Sequence, residues 1–196
     1  MTSGAAPSTG ARVRRLGGPI LFLVAAVVLL ADQWSKGWVQ THFPACNTVF
    51  STQVIVPNWL ALSYTCNSGA AFGLLADKTL LFVLIALVVS GVIVAYFRYL
   101  PTNRPWLKLS LGLQLGGALG NLLDRLHQGY VTDFISVAPA QSLPVFNIAD
   151  SCIVVGVLIL GYYLLAAGAQ PATLRATEEP APTGPWQRTD PERPAQ

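Results

Sequence analysis

Apolar runs separated by polar segments set the frame of this chain. Residues 17–31 carry no charge, and the run continues amphipathically through Asp32, Trp34, Lys36 and Trp38. Residues 79–97 are again uncharged and apolar, as are residues 109–123 and 151–170. A helix crosses a bilayer with roughly 20 such residues. The pattern therefore predicts four membrane-spanning helices, at about 17–39, 79–97, 109–124 and 150–170. The third carries Gly112, Gly116, Gly117 and Gly120, a small-xxx-small spacing that lets helices approach closely in lipid.

The intervening segments read differently. Residues 40–78 are too polar and turn-rich to span. Val54-Ile55-Val56 and the run from Leu60 to Thr65 are β-prone and are separated by Pro57-Asn58, which predicts a small sheet on the outer membrane face. Asn67 opens a small-residue segment, Asn67-Ser-Gly-Ala-Ala-Phe-Gly73, where backbone can approach a ligand closely. Residues 125–149 form a second outward loop. Residues 1–16 and 171–196 lack a periodic apolar pattern and are expected to be a disordered leader and tail. The expected fold is an all-α membrane protein of four transmembrane helices, one domain over residues 17–170, with a small extracytoplasmic sheet.

Composition sharpens this picture. Of 196 residues 53% are hydrophobic and only 11% charged, far from a soluble domain of that length. Mean hydropathy is +0.51. The net charge of +3 forms no continuous basic patch, so no nucleic-acid partner is expected. Basic residues instead flank the apolar runs: Arg12, Arg14 and Arg15 precede the first, Arg98, Arg104 and Lys108 join the second and third, and Arg175 follows the fourth. By the positive-inside rule all of these, and both termini, are cytoplasmic. A cleaved signal peptide ending at Phe43-Pro-Ala-Cys46 is the rival reading of the start. About a dozen mixed residues, Asp32 and Lys36 among them, separate the apolar run from Cys46 and argue against it.

Charges near an apolar run are expensive unless paired or used. No Glu precedes Glu178, so carboxylate chemistry rests on Asp32, Asp77, Asp124, Asp133 and Asp150. Asn121-x-x-Asp124 and Asn147-x-x-Asp150 each stack an amide and a carboxylate on one helix face. Asp32 and Lys36 sit at i, i+4, either as a local ion pair or as a polar face turned inward to brace a site. His42 and His127 are the two imidazoles, and no HExxH or CxxC occurs, so no metal site is expected. Adjacent Ser35 and Lys36 point about 100° apart on a helix and make a poor nucleophile pair. What remains is a pair of carboxylates sharing one proton, in which the ionised member activates water and the protonated member polarises a carbonyl. Such a pair needs no cofactor. Asn147 or Asp150 can also simply cap the fourth helix. The residues alone leave both Asp124 and Asp133 open as the partner of Asp150.

Five blocks in order resemble the signatures of the lipoprotein signal peptidases, the aspartic signal peptidase II family of the bacterial inner membrane. They are Asp32-Gln33-x-Ser35-Lys36, Asn67-x-Gly-Ala-Ala-Phe-Gly73, Gly116-Gly-Ala-x-Gly-Asn121-x-x-Asp124-Arg125, Val131-x-Asp133-Phe134 and Phe146-Asn147-x-Ala149-Asp150. The resemblance implies four spans, an outward β-cradle and an active site near the outer leaflet. It implies Asp133 and Asp150 as the catalytic pair, and Asn67, Asn121, Asp124, Arg125 and Asn147 as supporting residues, with Asp32 and Lys36 structural or supporting. The implied substrate is a diacylglyceryl-modified prolipoprotein cleaved before its lipidated Cys, handled by a monomer in the bilayer. A proton-coupled transporter and a non-catalytic assembly factor are the rivals from other classes; the carboxylates lie at span ends and no internal repeat is present, which disfavours a transporter.

Cys46 and Cys66 both fall in the first outward segment, where a bridge would contribute roughly 3 kcal/mol by the chain-entropy model. Sequence does not fix their Cα separation. Two free thiols are the expected state.

Overall fold

The structure, a computed structural model, describes residues 18–48, 52–69, 78–100, 104–137 and 143–168. The elements in order are α1 (Gly18–His42), β1 (Thr52–Val56), β2 (Leu60–Asn67), α2 (Thr79–Tyr96), α3 (Pro105–Gln128), β3 (Val131–Val137) and α4 (Ile148–Gly168), with a 3-10 turn at Phe97–Tyr99. The expected leader and tail, with Arg12, Arg14, Arg15 and Arg175, lie outside the described residues, as do Asp77 and residues 70–73 of the segment after Asn67. The described residues up to Tyr163 form one compact unit; of the unit over 164–196 the last turn of α4 is described.

Burial runs opposite to that of a helical protein built for water. Leu23, Leu30, Leu80, Val88 and Leu158 are exposed, whereas Asp32, Lys36, Asn121, Asp124, Thr132, Asp133 and Asn147 are buried. In hydrocarbon this arrangement satisfies both sets: leucines meet lipid and polar groups meet one another. Among the described residues three helices are long and apolar enough to cross a membrane, Pro19–His42, Thr79–Tyr96 and Ile148–Ala166. The fourth expected span, α3, has the length, since its 24 residues cover about 36 Å at 1.5 Å each. Its composition falls short because it is the inner helix, burying Lys108, Ser110, Asn121, Asp124 and four glycines.

Those glycines are where the neighbouring helices press closest. A Cβ on Gly116 would lie 2.6 Å from the Ala25 carbonyl oxygen of α1, and one on Gly117 would lie 2.5 Å from that of Ala149 in α4. Leu21 and Ala25 of α1, Ile93 of α2 and Leu115 of α3 close the core between them.

The sheet is antiparallel in the order β1-β2-β3. The expected hairpin is present, turning at residues 57–59 with Asn58 at φ 63°. Its third strand is a departure from the expected loop over 125–149. Helix α3 runs on to Gln128 and stops at Gly129, whose φ of 81° suits glycine and whose N–H returns to the Arg125 carbonyl. The β-branched run from Val131 then pairs with β2, Thr65 opposite Asp133 and Asn67 opposite Val131. Val39, Tyr64 and Phe134 seat the sheet on the end of α1.

The expectation of free thiols at Cys46 and Cys66 is corrected. They form a disulfide with Cα atoms 5.7 Å apart, and Cys152 is free. The chain leaving α1 turns back along β2: the Asn47 N–H donates to the Tyr64 carbonyl at 3.1 Å, and the Cys66 N–H donates to Asn47 Oδ1 at 3.1 Å. That pairing, absent from any sequence periodicity, brings the two sulfurs together.

Candidate active site

One asparagine holds two carboxylates. Phe146 pairs with β3 through Ile135, its N–H donating at 3.0 Å and its carbonyl accepting at 2.7 Å. The next residue, Asn147, is thereby set beside β3, and its Nδ2 donates to Asp133 Oδ1 at 2.7 Å. Asn147 also caps α4. Its Oδ1 accepts the Asp150 N–H at 2.9 Å, while its own N–H reaches back to Asp150 Oδ2 at 3.4 Å. This is a reciprocal capping arrangement with Asp in the usual Glu position. Capping and carboxylate pairing, alternatives in the sequence, are here served by the same residues.

The remaining oxygens are held from two further elements. Asn67 at the end of β2 donates to Asp133 Oδ2 at 2.8 Å, and Asn121 of α3 donates to Asp150 Oδ1 at 2.7 Å. Asp133 is 1% exposed. Its carboxyl is raised from 3.8 to about 7, chiefly by burial. The Asp150 carboxylate contributes to this rise, while the Asn67 and Asn147 amides and the Lys36 ammonium oppose it.

Behind the pair, Lys36 spends its three protons on three acceptors: Asp32 Oδ2 at 2.8 Å, Asp124 Oδ2 at 3.0 Å and Asn121 Oδ1 at 2.9 Å. Asp124 also accepts from the Thr132 N–H at 3.1 Å and from Gln33 Nε2 at 2.9 Å, so its oxygens are occupied away from Asp150. Asp32 Oδ1 accepts the Ala149 N–H at 2.9 Å, anchoring the first turn of α4 to α1. Gly120 permits this, because a Cβ there would collide with the Asp32 carboxylate. The local ion pair and the inward brace foreseen for Asp32 and Lys36 are one structure.

Arg125 flanks the pair. Its guanidinium lies 4.9 Å from the centre of the Phe82 ring, and its Nη2 donates to the Gly69 carbonyl at 3.3 Å. The two carboxylates, with Asn67, Asn121 and Arg125, face a cavity of about 840 Å³ whose walls are largely apolar, among them Phe82, Ile85 and Val89 of α2, Ala118 of α3 and Val154 of α4. Acid, water and an extended peptide can meet at its polar end.

The structure thus brings Asp133, Asp150, Asn67, Asn121 and Asn147 into direct contact, sets Asp32, Lys36 and Asp124 in a layer behind them, and places Arg125 at the cavity wall. Sequence reasoning quoted Gln33 without giving it a role and missed Thr132. Gln33 lies within the Asp32 block and carries a usable signal; Thr132 meets Asp124 through its backbone N–H, which carries none. Among the described residues no group of three or more His, Cys, Asp or Glu side chains is gathered to hold a metal ion.

Residues 24–166 match the family described as signal peptidase (SPase) II. A lipoprotein signal peptidase of Moorella thermoacetica is 48% identical over 149 residues, spanning 76% of this chain and 95% of its own. One from Pseudomonas fluorescens is 41% identical over 160 residues, 79% of this chain and 90% of its own. A bacterial membrane enzyme solved by the in meso method at 2.3 Å resolution superposes with a TM-score of 0.69 at 29% identity, covering 77% of this chain and 90% of that one.

Proposed function

The chain belongs to the signal peptidase II family, and we propose on that premise that it removes signal peptides from diacylglyceryl-modified prolipoproteins, with Asp133 and Asp150 as its catalytic carboxylates. The observation that carries the reading is the bridge through Asn147, which holds both carboxylates at the polar end of an apolar cavity.

The pair retains one proton to near neutrality, because two close buried carboxylates do not both ionise readily. The ionised member takes a proton from water as the water oxygen attacks the scissile carbonyl carbon. The protonated member gives its proton to the carbonyl oxygen. The tetrahedral intermediate then collapses, and a proton passes to the departing amine of the lipidated Cys. Amides from Asn67, Asn121 and Asn147 fix the carboxylate planes, so little reorganisation accompanies the reaction.

The signal peptide occupies the cavity between α2 and α4, and the diacylglyceryl chains stay in the bilayer alongside. In this reading α3 crosses the membrane with the other three helices, which places both termini in the cytoplasm and the carboxylates near the outer leaflet of the bacterial inner membrane. One domain over residues 17–170, acting as a monomer, carries the activity.

The test is cleavage by purified protein of a prolipoprotein with and without its diacylglyceryl group, with products identified by mass spectrometry. Cleavage before the lipidated Cys of the modified form alone is expected. A protein that leaves the modified form intact, or cuts elsewhere, refutes the assignment.

A further inference from the structure

We propose that the Cys46–Cys66 disulfide is a positioning element for the carboxylate pair, holding the end of β2 so that Asn67 stays on Asp133. The proposal rests on the assignment of Asp133 and Asp150 as catalytic.

The end of β2 is weakly held without it. Strand β1 pairs with residues 60–63, so among the described residues positions 64–67 have only β3 as a strand partner. Even that ladder is interrupted, because the β2–β3 register shifts between Leu62 and Thr65. The free edge is taken over by Asn47, through the Tyr64 carbonyl and through both its side-chain atoms on the Cys66 backbone, at 3.1 and 3.3 Å. Asn47 holds a left-handed conformation, φ 58°, to make these contacts. The sulfur–sulfur bond locks them one residue before Asn67.

At the other end the tie reaches the frame of the site. The chain carrying Cys46 follows α1 through the Phe43 N–H to Val39 carbonyl bond, and Cys46 packs with Val39, Tyr64 and Phe134. Helix α1 also carries Asp32 and Lys36, which brace α3 and α4. The disulfide therefore closes a ring from α1 to β2 with a covalent bond. Asn67 is the last strand residue before a turn in which its Oδ1 accepts the Gly69 N–H at 3.0 Å, so its Nδ2 aim follows the backbone.

Loss of that aim has a sign. The Asn67 amide donates to the ionised form of Asp133 and lowers its proton affinity. Of the charged groups facing Asp133 from other elements, Asp150 of α4 and Lys36 of α1 do not depend on the tie, nor does Asp124 behind it; Arg125 of α3 touches the Gly69 carbonyl just past Asn67, and loosening that contact acts in the same direction. Opening the disulfide therefore moves the alkaline limb of the activity profile to higher pH.

The experiment uses the full chain in detergent micelles with a lipid-modified prolipoprotein. Dithiothreitol supplies two electrons and two protons to give two thiols, and is itself oxidised to a cyclic disulfide. Reduced protein should show a kcat roughly three- to tenfold lower, with KM little changed and the alkaline limb displaced upward. Reoxidation should restore both, and C46S/C66S should match the reduced protein and ignore dithiothreitol. In Asn67→Ala the limb should already be displaced and reduction should add nothing, because the two changes act on one contact. Unchanged kcat and limb on reduction of the wild type overturn the proposal. So does an equal fold-loss on reduction in wild type and Asn67→Ala, which would make the disulfide a general support. Absence of cleavage by the oxidised wild type would instead refute the catalytic assignment itself.

Discussion

Lys36 of α1 and Asp124 of α3 lie 3.0 Å apart with both side chains buried, and the same ammonium bonds Asp32 at 2.8 Å. Removing it leaves two carboxylates in a low-dielectric interior with no cation between them. Lys36→Met should lower stability by about 3–5 kcal/mol, the range for breaking a buried pair from one side. Thermal unfolding in detergent checks this. Melting at the parent's temperature would mean that the cluster contributes nothing to the frame.

Asp133→Asn and Asp150→Asn should each abolish turnover while the protein still folds. An amide keeps the shape of the carboxyl but cannot relay a proton, and the loss of acid–base catalysis is worth about 10²–10⁴ in rate. Melting temperatures should stay near the parent's, because each change removes a buried acid but also turns one accepting oxygen into a donor that faces an N–H. Normal turnover in either variant contradicts the assignment.

The pH dependence follows from Asp133. Its carboxyl holds a proton to about 7 when folded, against 3.8 in ordinary surroundings. Between those values the folded state binds more protons than the unfolded chain, so this group's contribution is full below 3.8 and is lost as pH rises through about 7. Asp133→Asn should therefore be more stable relative to the parent on the alkaline side of 7 than on the acid side. Chemical denaturation at two pH values reads the difference; equal differences at both would exclude a raised Asp133.

Topology turns on α3, whose hydropathy does not mark it as a span. A reporter inserted between Pro57 and Asn58 should be accessible from outside, and reporters on both termini from the cytoplasm. A C-terminus outside would mean that α3 does not cross.

The sequence disclosed the parts of this fold whose signal is local. Spans one, two and four are visible because their outward faces meet lipid and must be apolar. Helix α3 shows through its glycines and the uncharged run over 109–123, although its hydropathy as a whole falls short of a span because protein surrounds it. Asn147 and Asp150 are legible as a cap because capping is local. Strand β3 and the disulfide were not, because each depends on pairing with β2 from far along the chain. The same holds for the partner of Asp150: Asp124 is occupied by Lys36, Gln33 and the Thr132 N–H, contacts made by three-dimensional packing alone.

Gly117 offers a test of how tightly α3 positions the acid of α4. A Cβ there would lie 2.5 Å from the Ala149 carbonyl oxygen and 2.8 Å from Ile153 Cγ1. Backbone cannot rotate away as a side-chain tip can, so the start of α4 must move. Ala149 lies between Asn147 and Asp150 and is tethered by Asp32. Its displacement therefore carries Asp150 away from Asn121 and Asn147. Gly117→Ala should destabilise the protein by about 1–3 kcal/mol, as overpacking does. It should also lower kcat by up to roughly 10²-fold, the penalty for an ångström of misplacement, with less effect on KM. Gly91 of α2 is the control, since nothing lies within 4 Å of its missing Cβ. Gly91→Ala should be neutral or more stable by up to about 1 kcal/mol. Single-turnover kinetics and thermal melts on both variants decide the matter. Parent-like kcat in Gly117→Ala would show that the α3–α4 contact does not position Asp150.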